Sequence, residues 1–211
     1  MQRSLTGVGL ICGSVLGAAS ALGGNIYTFS QWTTNGNTAV ASQLMMEVLS
    51  YAGGVEFKFS NAGPVASTIT DMYFDDASPV MLGASSINNS YNTGLAFSAT
   101  SPSGFGLAGF TVDRQFKADP PPPQNGINIG EALGIRFALS GGTTIADIET
   151  LLDEGALRIG LHVQGIAGLG GSEKFVTTAN TPIVPLPQGA GLASVALLAL
   201  GARRRRLPAA V

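Results

Sequence analysis

The central part of the chain alternates between apolar and polar residues, which is the pattern of β-strands that are buried on one face. In the clearest case, residues 55–59, the three apolar side chains are predicted to point inward, toward the core, and Glu56 and Lys58 to point outward. Residues 43–51 alternate in a similar way, and the Gly-Gly pair between the two segments is typical of a tight hairpin.

The same reasoning predicts about eight or nine short strands with turn signals between them. Such a series is typical of an all-β fold, and we expect an antiparallel two-sheet sandwich or a jelly roll. A parallel sheet is not expected, because its crossover connections would need more helices than the sequence offers. The other predicted strands are residues 25–32, 67–74, 94–100, 108–112, 133–139, 156–164 and 173–178.

One short helix interrupts the strand pattern. Thr144 and Asp147 have the spacing of a capping box, and Gly155 is placed to end the helix in a left-handed conformation. The helix is expected to close one end of the β-sandwich with its apolar face. That face consists of Ile145, Ile148, Leu151 and Leu152.

The C-terminal region, residues 182–211, combines a proline motif, an apolar segment and a basic cluster. Residues 189–202 carry no charge and would form a helix of about 21 Å, against a hydrocarbon core of about 30 Å. Because this length falls short of the core, we expect a marginal transmembrane helix. Basic residues follow it and favour the cytoplasmic side, so the C-terminus is expected inside the cell. These residues are Arg203, Arg204, Arg205 and Arg206.

This region resembles the PEP-CTERM sorting signal of exported bacterial proteins, also named "ice-binding protein C-terminal domain". The family motif is Pro-Glu-Pro, whereas this chain has Val184, Pro185, Leu186 and Pro187 before the apolar segment. The resemblance covers residues 182–206. It implies recognition by an exosortase-like processing enzyme, anchoring in the inner membrane before processing, and then a place at the cell surface or outside the cell.

The first 23 residues have the pattern of a secretory signal peptide. A short basic start is followed by a run of apolar and small residues, and Ala19 and Ala21 form a small-x-small cleavage site. Cleavage would remove Cys12, the only cysteine, so the exported domain would contain no disulfide. The exported domain is therefore expected to span residues 24–181, and segments within it also resemble exported PEP-CTERM proteins of unknown role.

The exported domain is acidic. Between residues 24 and 181 there are six Lys and Arg residues and thirteen Asp and Glu residues, which gives a net charge of −7. A nucleic acid partner is not expected, because phosphate backbones are bound by basic surfaces.

Few residues are candidates for chemistry. Asp71, Asp75 and Asp76 could supply oxygen ligands to calcium, and no other cofactor is expected. His162 is the only histidine, which argues against a zinc or copper site and against a serine nucleophile with a histidine base. No catalytic residue is assigned. Paired carboxylates for sugar hydrolysis could come from Glu131, Asp147 or Glu154, although spacing selects no pair.

Aromatic residues offer a second kind of site, a platform on which sugars stack. Aromatic residues at alternating strand positions are, however, more often part of the core. The candidates are Trp32, Tyr27, Tyr51, Tyr73 and Tyr91.

The sequence therefore predicts an exported, surface-sorted protein without enzymatic activity, with a structural or binding role in the extracellular polysaccharide matrix. Two alternatives stay open. The first is a glycan-active enzyme, and the second is an adhesin or surface-layer component that assembles with itself.

Overall fold

Ten strands, a 3-10 helix and an α-helix form the part of the chain that the computed structural model describes: residues 24–33, 35, 38–52, 54–79, 81–167 and 171–178. The predicted strand-rich fold with one short helix is confirmed. In chain order the elements are β1 (Ile26–Gln31), the 3-10 helix (Thr38–Gln43), β2 (Leu44–Tyr51), β3 (Gly54–Asn61), β4 (Thr68–Asp76), β5 (Met81–Asn88), β6 (Phe97–Thr100), β7 (Arg114–Ala118), β8 (Ala132–Leu139), α1 (Ile145–Glu154), β9 (Leu157–Ile166) and β10 (Gly171–Thr177).

The described strands form one antiparallel sheet in the order β5-β8-β3-β2-β1-β10-β9-β4-β7-β6. Strand β1 joins its two parts, because Ile26 to Thr28 pair with β2 and Phe29 to Gln31 pair with β10. The prediction of two separate sheets is therefore corrected to one continuous sheet. We call β5, β8, β3 and β2 the β3 half, and β10, β9, β4, β7 and β6 the β4 half.

The two halves face each other across an aromatic core. Phe74 of β4 lies 5.4 Å from Phe57 and 5.0 Å from Phe137, both of the β3 half, between ring centroids. Phe116 of β7 contacts Phe137 at 5.9 Å. These are edge-to-face contacts, which aromatic rings favour, and each fully buried ring contributes about 1.5–3 kcal/mol through burial. The sheet therefore folds over itself, and each half keeps an outer face.

Helix α1 forms where it was predicted. Thr144 accepts a hydrogen bond from the backbone of Asp147 and Asp147 accepts one in return, while Gly155 ends the helix with φ 71°. Ile148 and Leu152 are buried in the core, and the helix contacts β2 and β9.

Residues 101–113 cover much of the outer face of the β4 half. The predicted strand at residues 108–112 is wrong, because Phe110 instead packs on Phe105, at 4.6 Å, within a loop. Phe105 also contacts Tyr73 of β4 at 5.0 Å. Gly160 makes room for this loop, since a Cβ atom there would lie 2.8 Å from the Phe105 ring.

Strands β5 and β7 were not predicted. Small residues and a bulge between Leu82 and Ser85 hide the alternation of β5. Strand β7 is short, and its buried Gln115 lies on an outer face, where a polar residue would ordinarily indicate solvent.

Candidate functional site

Glu56 lies in the middle of β3 and projects from the outer face of the β3 half. Its neighbours Val55 and Phe57 point into the core, as predicted, yet Glu56 is only 3% exposed. Glu56 points outward as predicted, but side chains of β5, β8 and the loop after β5 cover it. Lys58, on the same face, stays partly exposed and pairs with Glu47 at 3.1 Å.

Three side chains donate hydrogen bonds to the Glu56 carboxylate. Arg136 Nε donates to Oε2 at 2.5 Å, while the Tyr91 hydroxyl and Asn88 Nδ2 donate to Oε1 at 2.5 and 3.0 Å. Burial alone would raise the pKa of Glu56, but these bonds and the Arg136 charge hold it below its usual range. The site therefore contains a buried, ionised carboxylate that accepts three hydrogen bonds.

The register of three strands assembles this site. Arg136 of β8 lies directly opposite Glu56, and Asn88 of β5 lies opposite Gly134 of β8. A Cβ atom at Gly134 would come within 2.5 Å of Glu56 Oε1 and 3.1 Å of Asn88 Cβ. A larger residue at position 134 would therefore displace the carboxylate, and glycine leaves room for it.

Two tyrosines flank the carboxylate and remain accessible. The Arg136 guanidinium lies 4.1 Å from the centroid of the Tyr51 ring, and Lys58 Nζ lies 5.0 Å from that of Tyr91. Both tyrosines are 37% exposed. Burial, together with the hydrogen bond to Glu56, raises the pKa of Tyr91 to about 12, so its hydroxyl stays protonated and donates.

The other predicted platform residues separate into two groups. Trp32 is exposed, whereas Tyr27 and Tyr73 are buried, so these two tyrosines are core residues, as is more usual for aromatic residues in strands, and cannot form a platform. Burial raises the pKa of both buried tyrosines.

Two open depressions meet at the Tyr51 and Arg136 pair. One, of about 550 Å³, extends past Tyr91 and Glu56 to Glu149 of α1, and the other, of about 250 Å³, extends past Ser86 and Ala138. We call these two depressions together the tyrosine groove. Burial, followed by the charge of Asp153, raises the pKa of Glu149, so the groove contains carboxyl groups whose pKa values are shifted in opposite directions.

A second polar cluster surrounds Asp71 on the outer face of the β4 half. Asp71 is 2% exposed, and it accepts hydrogen bonds from Thr70 at 3.0 Å and Gln115 at 3.2 Å. His162 Nδ1 lies 3.2 Å from Asp71 Oδ2, and Lys117 Nζ lies 4.0 Å from Oδ1. Although burial alone would raise the pKa of Asp71, these partners hold it below its usual range.

The three aspartates predicted to bind calcium have separate partners. Asp71 contacts His162, Asp75 forms an ion pair with Arg158, and the backbone N–H of Asp76 donates to Asp113 Oδ2 at 2.8 Å. In the part of the chain that the structure describes, no three Asp, Glu, His or Cys side chains are grouped closely enough to hold a metal ion. Calcium binding stays a prediction, and the ion pair of Asp75 does not favour it.

The carboxylates considered for sugar hydrolysis have other roles. Glu131 accepts a hydrogen bond from the backbone of Asn128 at 2.7 Å, Asp147 caps α1, and Glu154 is exposed at the end of α1. Sequence reasoning overlooked Glu56 and Arg136. Their opposite charges are visible in the sequence. That they pair depends on β3 and β8 being neighbours in the sheet and on the register between them.

The sorting and signal residues lie outside the described residues. These are Ala19, Ala21, Val184, Pro185, Leu186, Pro187, Arg203, Arg204, Arg205 and Arg206. Within the described ranges, no helix is long and apolar enough to cross a membrane.

Comparison with protein-family models, curated proteins and solved structures finds no match to this chain. The residues of the tyrosine groove therefore carry the functional argument from their own chemistry.

Proposed function

We propose that this is an exported, surface-sorted protein without enzymatic activity that binds the extracellular polysaccharide matrix. The tyrosine groove is the observation that supports binding best. It is open to solvent, about 550 Å³ in its larger part, and lined by exposed aromatic and polar side chains. Small-molecule sites typically have volumes of about 300–1,000 Å³ and combine apolar walls with a few polar groups.

The terminal segments support export. A signal peptide over residues 1–23 would direct secretion, and the sorting region 182–211 would hold the chain in the inner membrane until an exosortase-like enzyme acts near Pro185. The intact mass of protein recovered from the cell surface and the medium tests this. We expect a species that begins near Leu22 or Gly24 and ends near Pro185. Protein that retains Arg203 to Arg206 in the membrane fraction would contradict processing.

The state of Glu56 favours binding over catalysis. Both oxygens of its carboxylate already accept hydrogen bonds, from Arg136, Tyr91 and Asn88, and a carboxylate that is held in this way is a weaker base and nucleophile. The carboxylate instead fixes the position of Tyr91 and Arg136, which suits a rigid binding surface.

A glycan-cleaving enzyme is the second candidate, and one observation favours it. Glu56 and Glu149 line the same depression, with pKa values lowered and raised respectively, which is the arrangement of a base or nucleophile and an acid. Release of reducing ends from the polymer, lost in Glu149→Gln, would establish this activity and contradict the proposal of binding alone.

Co-sedimentation tests the proposed function. The exported form, recovered from the cells that produce it, is mixed with the polysaccharide that the same cells secrete, with calcium and with a calcium chelator. We expect the protein to pellet with the polymer and no reducing ends to appear. If the protein stays in the supernatant in both conditions, the proposed function is wrong.

A further inference from the structure

The tyrosine groove offers two adjoining, solvent-open depressions to an extended chain. Its two depressions share Tyr51 and Arg136, and together they extend across the outer faces of β2, β3 and β8. A polymer needs a site that is open at both ends, whereas a small metabolite is usually enclosed.

The tyrosine rings that border the groove are held in place without a ligand. Tyr51 rests on the Arg136 guanidinium, which is in turn fixed by Glu56, and the Tyr91 hydroxyl is bound to the same carboxylate. Fixed aromatic rings lose little conformational entropy on binding, so they are effective contact surfaces. They offer an apolar face to the C–H groups of a sugar ring.

Polar groups for sugar hydroxyls lie beside these rings. Arg136 uses Nε for Glu56, and within the described residues its two terminal nitrogens have no hydrogen-bond partner. The groove is also lined by Ser86, which lies opposite Arg136, and by Glu149 of α1. This mixture of donors and acceptors matches hydroxyl groups, which both donate and accept.

The charges in and around the groove favour a neutral polysaccharide over an anionic one. Arg136 is neutralised by Glu56 and Lys58 by Glu47, while Glu149 adds a carboxyl group to the wall, in a domain of net charge −7. Among the described residues that line the groove, an anionic polymer such as a polyuronate would meet like charge and no unpaired cation.

We infer that the tyrosine groove binds a neutral polysaccharide whose pyranose rings stack on Tyr51 and Tyr91. This inference rests on the proposed function and adds to it the place of binding and the class of polymer.

The experiment uses the polysaccharide that the producing cells secrete, divided by anion exchange into a neutral and an acidic fraction. The full-length gene is expressed in those cells as wild type, Tyr51→Ala and Trp32→Ala, and the exported protein is titrated against each fraction. Trp32 is a matched control, because it is an exposed aromatic residue that does not border the groove. Thermal unfolding checks that each variant is folded.

Wild type is expected to bind the neutral fraction more tightly than the acidic one. Tyr51→Ala should weaken binding about five- to tenfold, the loss expected for one stacked ring, and Trp32→Ala should leave it unchanged. Preference for the acidic fraction would overturn the inference, as would equal affinities of Tyr51→Ala and wild type, and either result would leave the proposed function intact. If wild type binds neither fraction, the proposed function itself fails.

Discussion

The outer faces of the two halves contain the same kinds of side-chain contacts, but one face is open to solvent and the other is covered. Each has a cross-strand pair of a buried acid and an arginine, Glu56 with Arg136 and Asp75 with Arg158. In each, the guanidinium also lies near an aromatic ring, which is Tyr51 on the β3 half and Phe110 on the β4 half, at 4.1 and 5.1 Å. Yet Tyr51 is 37% exposed, whereas Phe110 is 8% exposed.

A glycine on each face explains the difference. Gly134 leaves room for a carboxylate, and Gly160 leaves room for the Phe105 ring. The carboxylate attracts polar partners and the surface stays open, while the ring anchors a loop that covers the surface. The group that lies over the glycine therefore distinguishes the two faces. A carboxylate over Gly134 accompanies an open groove, and a phenylalanine ring over Gly160 accompanies a second small core.

Removal of either arginine is the largest perturbation that we expect, because it leaves a buried carboxylate without its cation. Arg136→Met should lower the free energy of unfolding by about 2–3 kcal/mol, and Arg158→Met by somewhat more. Glu56 keeps Tyr91 and Asn88 as donors, whereas Arg158 is the one side chain that donates to Asp75 among the described residues.

Urea denaturation at neutral pH measures both changes. Lys58→Met is the matched control, since it breaks an ion pair on the same face in which both partners are partly exposed, and it should cost no more than about 1 kcal/mol. If Arg136→Met and Lys58→Met lower the free energy of unfolding by the same amount, the buried ion pair does not stabilise the fold more than the exposed one does.

The two glycines give the second test. Gly134→Ala and Gly160→Ala should each cost about 1–3 kcal/mol through overpacking. Their effects on binding should differ: Gly134→Ala displaces the carboxylate that fixes Arg136 and Tyr91, whereas Gly160→Ala displaces Phe105 and leaves the groove intact.

Affinity for the secreted polysaccharide, measured beside thermal stability, separates these effects. Gly104→Ala serves as control, because no atom lies within 4 Å of the added Cβ position. Equal losses of affinity in both variants would mean that the two faces do not act independently.

The sequence predicted those features that depend on local pattern. The alternation in β3 and the capping box of α1 are determined by neighbouring residues, and both formed as expected. The sequence could not predict that Glu56 is buried or that Phe110 lies in a loop that packs on β4. A buried outward-facing acid depends on Arg136, which lies 80 positions away, and the loop depends on a gap at Gly160 that exists only when β4 and β9 pair.

The smallest effect concerns pH, and it compares the buried carboxylates Glu56 and Asp71. The folded-state pKa of each lies below its usual value, because their hydrogen bonds outweigh burial. Each therefore contributes stability that is present above the ordinary carboxyl pKa, about 4, and is lost as the pH falls through the folded-state pKa. The loss should be modest, since a protonated carboxyl group still accepts hydrogen bonds.

Unfolding free energies measured between pH 7 and pH 3 test this for wild type, Glu56→Gln and Asp71→Asn. Both variants should be less stable than wild type at pH 7, and their stability should depend less on pH below about 4, because the substituted group no longer takes up a proton on unfolding. Glu154→Gln, at an exposed position on α1, controls for the change in net charge. A pH profile of Asp71→Asn parallel to that of wild type would mean that the pKa of Asp71 is the same in the folded and the unfolded protein. Its hydrogen-bond partners would then not stabilise the ionised form, and the two outer faces would differ in electrostatics as well as in exposure.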